Sequence, residues 1–366
     1  MDFDWPEEFA RLAAEAREVG SRAAARRPHR EEGWITGFDR EFSRELGRRG
    51  WLGMTWPVAY GGGARTPLER FVVTEALISV GAPIAATWVG DRQIGPTLLA
   101  YGTDEQKRRY LPPMAAGAVT WSIGMSEPDA GSDLASIRTR AVRDGDAFVV
   151  DGRKIWTSFA ADAEHCYLIA RTGAGGRGHD GLSELIVDMG SSGIRVTPIV
   201  DSTGDSHFCE VEFDGVRVPA SHLVGTPDES WRQLMRQLEH ERGGIDRLMS
   251  NRALYEEVLA QADRSDPLVR DEIARLEIGY RIGRLLVLRE VLGQAPRSFS
   301  AATKVFCTEH EQRVASFIAR LAGSQVMLAG RPARASVYAS AYTIQGGTSP
   351  ILRNVLAERV LGLPKG

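Results

Sequence analysis

Residues 118–225 read in short runs with the two-residue period of strands, and the chain on either side reads with the 3.6-residue period of helices. That switch limits the chain to helices, then sheet, then helices. Within the central stretch the strand-like runs are 148–150, 166–170, 185–187, 194–200 and 208–213. Asp144-Gly145, Asp151-Gly152 and Asp214-Gly215 punctuate them as hairpin turns would. Upstream, Trp5, Phe9, Leu12, Ala13, Ala16 and Val19 share one helical face, and Phe38, Phe42 and Leu46 repeat the period. A Gly/Pro-rich break covers 50–63 before the pattern resumes. Downstream, Thr226-Pro227-Asp228-Glu229 has the form of a capping box and predicts a helix starting there. Helical texture then runs on, with breaks near 263–267, 293–296 and 330–332, as in a bundle of antiparallel helices. The expected fold is α+β, with an N-terminal helical domain (1–117), a middle antiparallel β-domain (118–225) and a C-terminal helical bundle (226–366).

Bulk properties exclude several classes. A net charge of -3 gives no basis for nucleic-acid or anionic-membrane binding. No apolar run reaches the length of a membrane span, and the acidic start, MDFDWPEEFARL, is unlike a signal peptide. Three cysteines without CxxC spacing suit reduced thiols, and a cytoplasmic location is expected. Seven histidines show no paired metal-ligand spacing, so no metal is expected. Gly173–Gly181 is glycine-rich but lacks the Lys-Ser/Thr of a phosphate loop and reads as a mobile hairpin connection.

Two segments carry the chemistry. WSIGMSEPDAGSD, 121–133, is a short apolar run followed by a turn-rich loop that can aim backbone N–H groups and the Ser132 hydroxyl at a phosphate or a flat polar edge. KIWTSF, 154–159, adds an aromatic plane, Trp156, and the hydroxyls of Thr157 and Ser158. An ordinary capped hairpin accounts for either segment alone; the pair at this spacing resembles the flavin-binding signature of the acyl-CoA dehydrogenase family. The segment 208–225 resembles that family's closing β-segment, and IQGGTSPILRNVLAERVLGLP its C-terminal active-site segment, so the resemblance spans essentially the whole chain. It implies FAD as cofactor, contacted by Ile123, Met125, Ser126, Gly131, Ser132, Trp156, Thr157, Ser158 and Thr348. It also implies an acyl-CoA substrate contacted by Ser132, Glu239, Arg242, Gly346 and Gly347, and an electron-transferring flavoprotein as acceptor.

The implied reaction removes an α-proton to a carboxylate and passes the β-hydride to flavin N5. The family commonly places that glutamate before the Gly-Thr of the C-terminal segment, where this chain has Gly346. Glu241 is the alternative: Leu234, Leu238, Ile245 and Leu248 mark an apolar stripe, and Glu241 with Arg242 falls on or beside it. Burial there raises a carboxylate toward the range of a general base. Leu-Glu-His-Glu-Arg resembles isovaleryl- and long-chain-type relatives, whose base precedes an arginine on this helix, with Arg242 supporting the base. A Glu-Arg pair serving only an ion network is the competing reading. Glu239 corresponds to an acid that binds the pantetheine amide, and the backbone N–H at Gly346 can polarise the thioester oxygen.

Two family features are missing. The bundle's Arg-x-x-Phe-Gly is replaced by LAQADRSDPLVRDEIARL, where Arg264 and Arg270 are equal candidates, and Gln-x-x-Gly-Gly by LAGSQVMLAG, where Gln325 is the nearest remnant. The expectation is therefore a homodimer or homotetramer, with a heteromer alongside a related subunit as the alternative. Further alternatives are a non-catalytic or half-site subunit, an acyl group on a carrier protein, and a flavin oxidase or monooxygenase.

Overall fold

The structure is a computed structural model that describes residues 5–26, 33–173, 178–242, 244–296 and 298–364, and only the backbone at 239–242. The helices are α1 (Glu7–Ala25), α2 (Arg40–Arg48), α3 (Pro67–Ser79), α4 (Ala85–Val89), α5 (Gly95–Tyr101) and α6 (Asp104–Ala115), followed after the sheet by α7 (Trp231–Arg242), α8 (Asp246–Met249), α9 (Arg252–Gln261), α10 (Pro267–Val291), α11 (Phe299–Ala322), α12 (Arg331–Tyr342) and α13 (Ser349–Val355). Between them lie β1 (Trp121–Gly124), β2 (Arg140–Asp144), β3 (Ala147–Ser158), β4 (His165–Arg171), β5 (Leu182–Asp188), β6 (Ile194–Ile199), β7 (Phe208–Pro219) and β8 (Leu223–Val224). The expected α+β order is present.

Local chemistry sets the helix starts. Thr66 and Glu69 form a reciprocal capping box ahead of Pro67 in α3, and Thr103 with Gln106 does the same for α6. Asp266 caps α10, accepting from the Leu268 N–H at 2.8 Å, with Pro267 as its first residue. The expected start at Thr226 is not used, and α7 begins at Trp231. The competing structure is the sheet: Ser230 N–H donates to Leu182 O at 2.9 Å, and Asp228 takes a left-handed φ of 65° while its N–H donates to Ser183 Oγ. The apolar stripe is also divided, with Leu234 and Leu238 on α7, Leu248 on α8 and Ile245 just before it.

The chain forms two compact units, Asp39–Ala64 with Ala86–Leu238, and Met1–Phe38 with Arg65–Ala85 and Glu239–Gly366. The first contains the sheet, in the order β6-β7-β3-β2-β4-β5-β8, with β1 added in parallel to β4. Most pairs are antiparallel, and β3 and β7 form its long ladder. Asp144-Gly145 connects β2 to β3 as expected. Asp151-Gly152 and Asp214-Gly215 do not turn the chain: they lie inside β3 and β7, where the register shifts between Val150 and Gly152. Gly215 has a φ of 60° and donates its N–H to Asp151 Oδ1, so positive-φ glycine here makes a bulge within a continuing strand. One apolar core, with Trp56, Leu111, Trp121, Tyr167, Ile186 and Leu234, joins helices to the sheet; a second, with Phe148, Cys166, Leu185, Val211 and Val216, fills its other side. In the second unit, α10 and α11 bury Leu276, Tyr280, Val314, Phe317 and Ile318. Cys166, Cys209 and Cys307 are buried and free, and no helix among the described residues is long and apolar enough to cross a membrane.

Candidate functional site

The two sequence segments meet. Ile155 N–H donates to Ser126 O at 2.9 Å, and Lys154 Nζ donates to Met125 O at 3.0 Å and to Glu127 Oε1 at 2.9 Å. The same Glu127 carboxylate accepts from the backbone N–H of Arg138 at 2.6 Å and Thr139 at 2.9 Å. One side chain therefore closes both ends of the loop that carries Gly131 and Ser132, which stand exposed. Ile123 and Met125 are half-buried against the core with Trp121, and Ser126 is half-buried beside them.

Trp156 owes its position to a second bulge. Lys154 pairs with Val211 and Thr157 with Cys209, so Ile155 and Trp156 together face the one residue between them on β7. Trp156 takes a φ of 59° and is 54% exposed, with its ring edge-on to Phe208 at 5.6 Å. A left-handed conformation costs a residue with a side chain roughly 1–2 kcal/mol, and exposing an indole forgoes its burial. The bulge therefore leaves a strained, exposed aromatic plane available to a ligand. Thr157 beside it is fully buried, and its hydroxyl has no partner among the described residues. Ser158 is half-buried and pairs with Phe208. A plane, neighbouring hydroxyls and a loop of accessible backbone suit a flat ring with polar edges, so these residues fit a flavin.

The Glu127–Lys154 pair sits almost entirely out of water, with Lys154 at 0% and Glu127 at 8% exposure. Burial lowers Lys154 to about 8 against the opposing charge of Glu127. Burial pushes Glu127 up, but Lys154 and the Thr139 and Arg138 donors outweigh it, and its carboxyl lies below the usual range.

In the other unit, Gly346 and Gly347 have φ of 66° and 93°, and Thr348 caps α13, accepting from the Ile351 N–H at 3.3 Å. Lys304, fully buried on α11, donates to Gly347 O at 2.9 Å and fixes this turn. The side chains of Glu239, Glu241 and Arg242 lie outside the described residues; their backbone is the last turn of α7. Arg264 and Arg270 donate to nearby backbone carbonyls, and Gln325 is exposed in the turn after α11.

Sequence reasoning passed over Glu127, Lys154 and Lys304. The first two stood in the quoted motifs, and the signal was a lone acid and a lone base each set among apolar or small residues. Lys304 gave only a lysine in a helical run.

Known proteins match throughout. Residues 6–118, 122–216 and 229–361 match the acyl-CoA dehydrogenase N-terminal, middle and C-terminal domains. The acyl-CoA dehydrogenase IpdE1 of Mycobacterium tuberculosis (strain ATCC 25618 / H37Rv) is 35% identical over 349 residues, covering 89% of this chain and 88% of the relative. The solved Tcur3481-Tcur3483 steroid ACAD superposes with a TM-score of 0.90 at 34% identity, covering 100% of both chains. The ChsE4-ChsE5 complex from Mycobacterium tuberculosis gives 0.86 at 30%, again covering 100% of both. The chain belongs to the acyl-CoA dehydrogenase family, whose members are flavin-dependent oxidoreductases.

Proposed function

We propose that this chain uses FAD to dehydrogenate an acyl-CoA between Cα and Cβ, and that the acyl group is steroid-derived. The observation that carries the cofactor reading is the exposed, left-handed Trp156 beside the Thr157 hydroxyl, which has no partner among the described residues. Similarity to a steroid acyl-CoA dehydrogenase supports the substrate class. In this reading Ile123, Met125, Ser126, Gly131, Ser132, Trp156, Thr157, Ser158 and Thr348 bind the cofactor, with Ser126, Trp156 and Ser158 at the ring and Ser132 at the phosphates. Ser132, Glu239, Arg242, Gly346 and Gly347 bind the acyl-CoA, and Glu241, supported by Arg242, takes the α-proton. Bound FAD would supply the acceptor for the β-hydride. The Gly346 N–H can stabilise negative charge developing on the thioester oxygen. An electron-transferring flavoprotein is the proposed acceptor that would reoxidise the reduced cofactor. The three sequence segments, divided near 117 and 225, are the proposed domains. The decisive experiment is mixing the yellow purified protein anaerobically with acyl-CoAs from C4 to steroid side chains. Bleaching by a steroid-type thioester is expected. Flavin that no acyl-CoA bleaches would remove the dehydrogenase assignment.

Trp156→Ala is expected to weaken FAD retention, because the ring loses a plane worth on the order of 1 kcal/mol beyond burial. Flavin content after extended dialysis checks this, and occupancy equal to wild type would rule out the contact.

A second reading concerns assembly. Ile278, Ile282 and Leu285 recur at helical spacing on α10, and all three are exposed. With the family's two bundle motifs absent, this face suits docking on another dehydrogenase-like subunit. Two similar structures carry paired names, Tcur3481-Tcur3483 and ChsE4-ChsE5. The chain is therefore proposed to be oligomeric, as a homo-oligomer or paired with a related subunit. Mass photometry is expected to show no monomer-only species. A monomer holding stoichiometric FAD would overturn this, and a colourless homodimer turning yellow only with a co-expressed homologue would select the heteromer.

A further inference from the structure

We propose that Glu127 and Lys154 are positioning residues of the cofactor site, a buried pair that holds the Gly131–Ser132 loop in register with the Trp156 bulge; this rests on the flavin reading above. The pair's bonds are directed at the site's frame. The Glu127 carboxylate collects the Arg138 and Thr139 N–H groups at the far end of the loop, and Lys154 takes Met125 O at its root. Lys154 stands two residues before Trp156 on β3, at the residue where the ladder breaks. The ion pair thereby links the loop's two ends to the start of the bulge. Between them, the adjacent Ile155–Ser126 backbone bond seats the hydroxyl residue next to the tryptophan's strand.

Stability alone does not call for this arrangement. Well-packed apolar residues in place of a buried ion pair are often as stable or more so. An apolar pair, however, offers nothing to two amide N–H groups and a carbonyl, and so cannot fix the loop's register. Directional bonds from rigid supports are what a preformed binding site requires.

The charge on Lys154 is part of the device. Facing it are the Glu127 carboxylate and the Cys166 thiol, which burial pushes up to about 11 and so keeps neutral; Asp129 and Arg138 pair at the exposed rim of the loop. With Lys154 lowered to about 8, a rise through that pH removes the cation and leaves the Glu127 charge uncompensated. FAD affinity is expected to fall there. The fold's linkage has the opposite sign: the unfolded chain binds the Lys154 proton up to its ordinary range, so this group's contribution to stability rises with pH above about 8.

The test reconstitutes FAD-stripped protein and measures FAD Kd and melting temperature from pH 6.5 to 9.5 for wild type, Lys154→Met, Glu127→Gln and the double variant. In wild type, Kd should rise about tenfold across the Lys154 titration. Lys154→Met should bind at least tenfold more weakly with no such step. The double variant should regain melting temperature, having no unpaired buried charge, without regaining FAD affinity. If the double variant recovers both, or Lys154→Met keeps the wild-type Kd, the pair serves the fold only and the proposal fails. If Lys154→Met does not fold, the wild-type pH profile decides, and a flat profile overturns the proposal. Wild-type protein that takes up no FAD overturns the flavin reading itself, an outcome distinct from variants that bind like wild type.

Discussion

Glu241→Gln is expected to keep the fold and the flavin while slowing the reductive half-reaction by roughly a hundredfold or more, the usual consequence of losing a general base. Two observations motivate it. Position 346 is glycine in a turn fixed by Lys304, so it can supply a backbone N–H but no base. Glu241 is the next-to-last residue of α7, whose preceding turns bury Leu234 completely and Leu238 in part. Glutamine retains the size and a hydrogen-bonding edge but takes no proton at neutral pH, which separates chemistry from binding. Stopped-flow bleaching within a few-fold of wild type would exclude Glu241 as the base.

Glu311→Gln is expected to remove a large part of the protein's loss of stability toward alkaline pH. Glu311 is fully buried on α11, and burial raises it to about 8 despite the Asn251 backbone and amide donors at 2.8 Å and the Tyr280 hydroxyl. A carboxylate raised in the fold binds a proton that the unfolded chain has already released. Its contribution is therefore complete below the ordinary carboxylate range and is lost as pH rises through about 8. Integrated over that window the loss is on the order of 5 kcal/mol. Glu184, raised to about 7 by burial despite the Tyr167 hydroxyl and Gln233 amide donors, acts with the same sign at lower pH. Comparing wild type with the single variant cancels that contribution. At pH 5, 7 and 9 the melting temperature of wild type relative to the variant should fall steadily as pH rises, and parallel curves would remove Glu311 as the titrating group.

The parts of the fold legible in the sequence were those set by local periodicity and caps. The strand-like texture of 118–225 became the sheet, and the breaks near 263–267, 293–296 and 330–332 fall where α9, α10, α11 and α12 end or begin. The errors came where a local signal had two structural meanings. Asp-Gly is equally at home in a hairpin turn and in a bulge, and whether β3 and β7 reverse or continue depends on their ladder. Thr226-Pro227 looked like a helix start, but Ser230 and Asp228 bond to β5, and those partners lie more than forty residues away in the chain. At the candidate site, the residues proposed to contact the ring stood out because their types are unusual together. Glu127 and Lys154 did not, because a charge gains its meaning from what it is buried with, and burial is a tertiary property.

The left-handed backbone at Trp156 bears on how this protein can be improved or degraded by selection. Position 156 is held in a conformation that glycine or asparagine adopts with less strain, and its indole gives the folded chain little in return. On the proposed role of Trp156, a library screened for thermal resistance without cofactor would favour replacing the tryptophan and would enrich hardier proteins with weakened FAD binding. With Trp156 in that proposed role, heat tolerance and cofactor capture pull in opposite directions at this one site, so directed evolution of this scaffold should impose flavin loading as a selection from the first round.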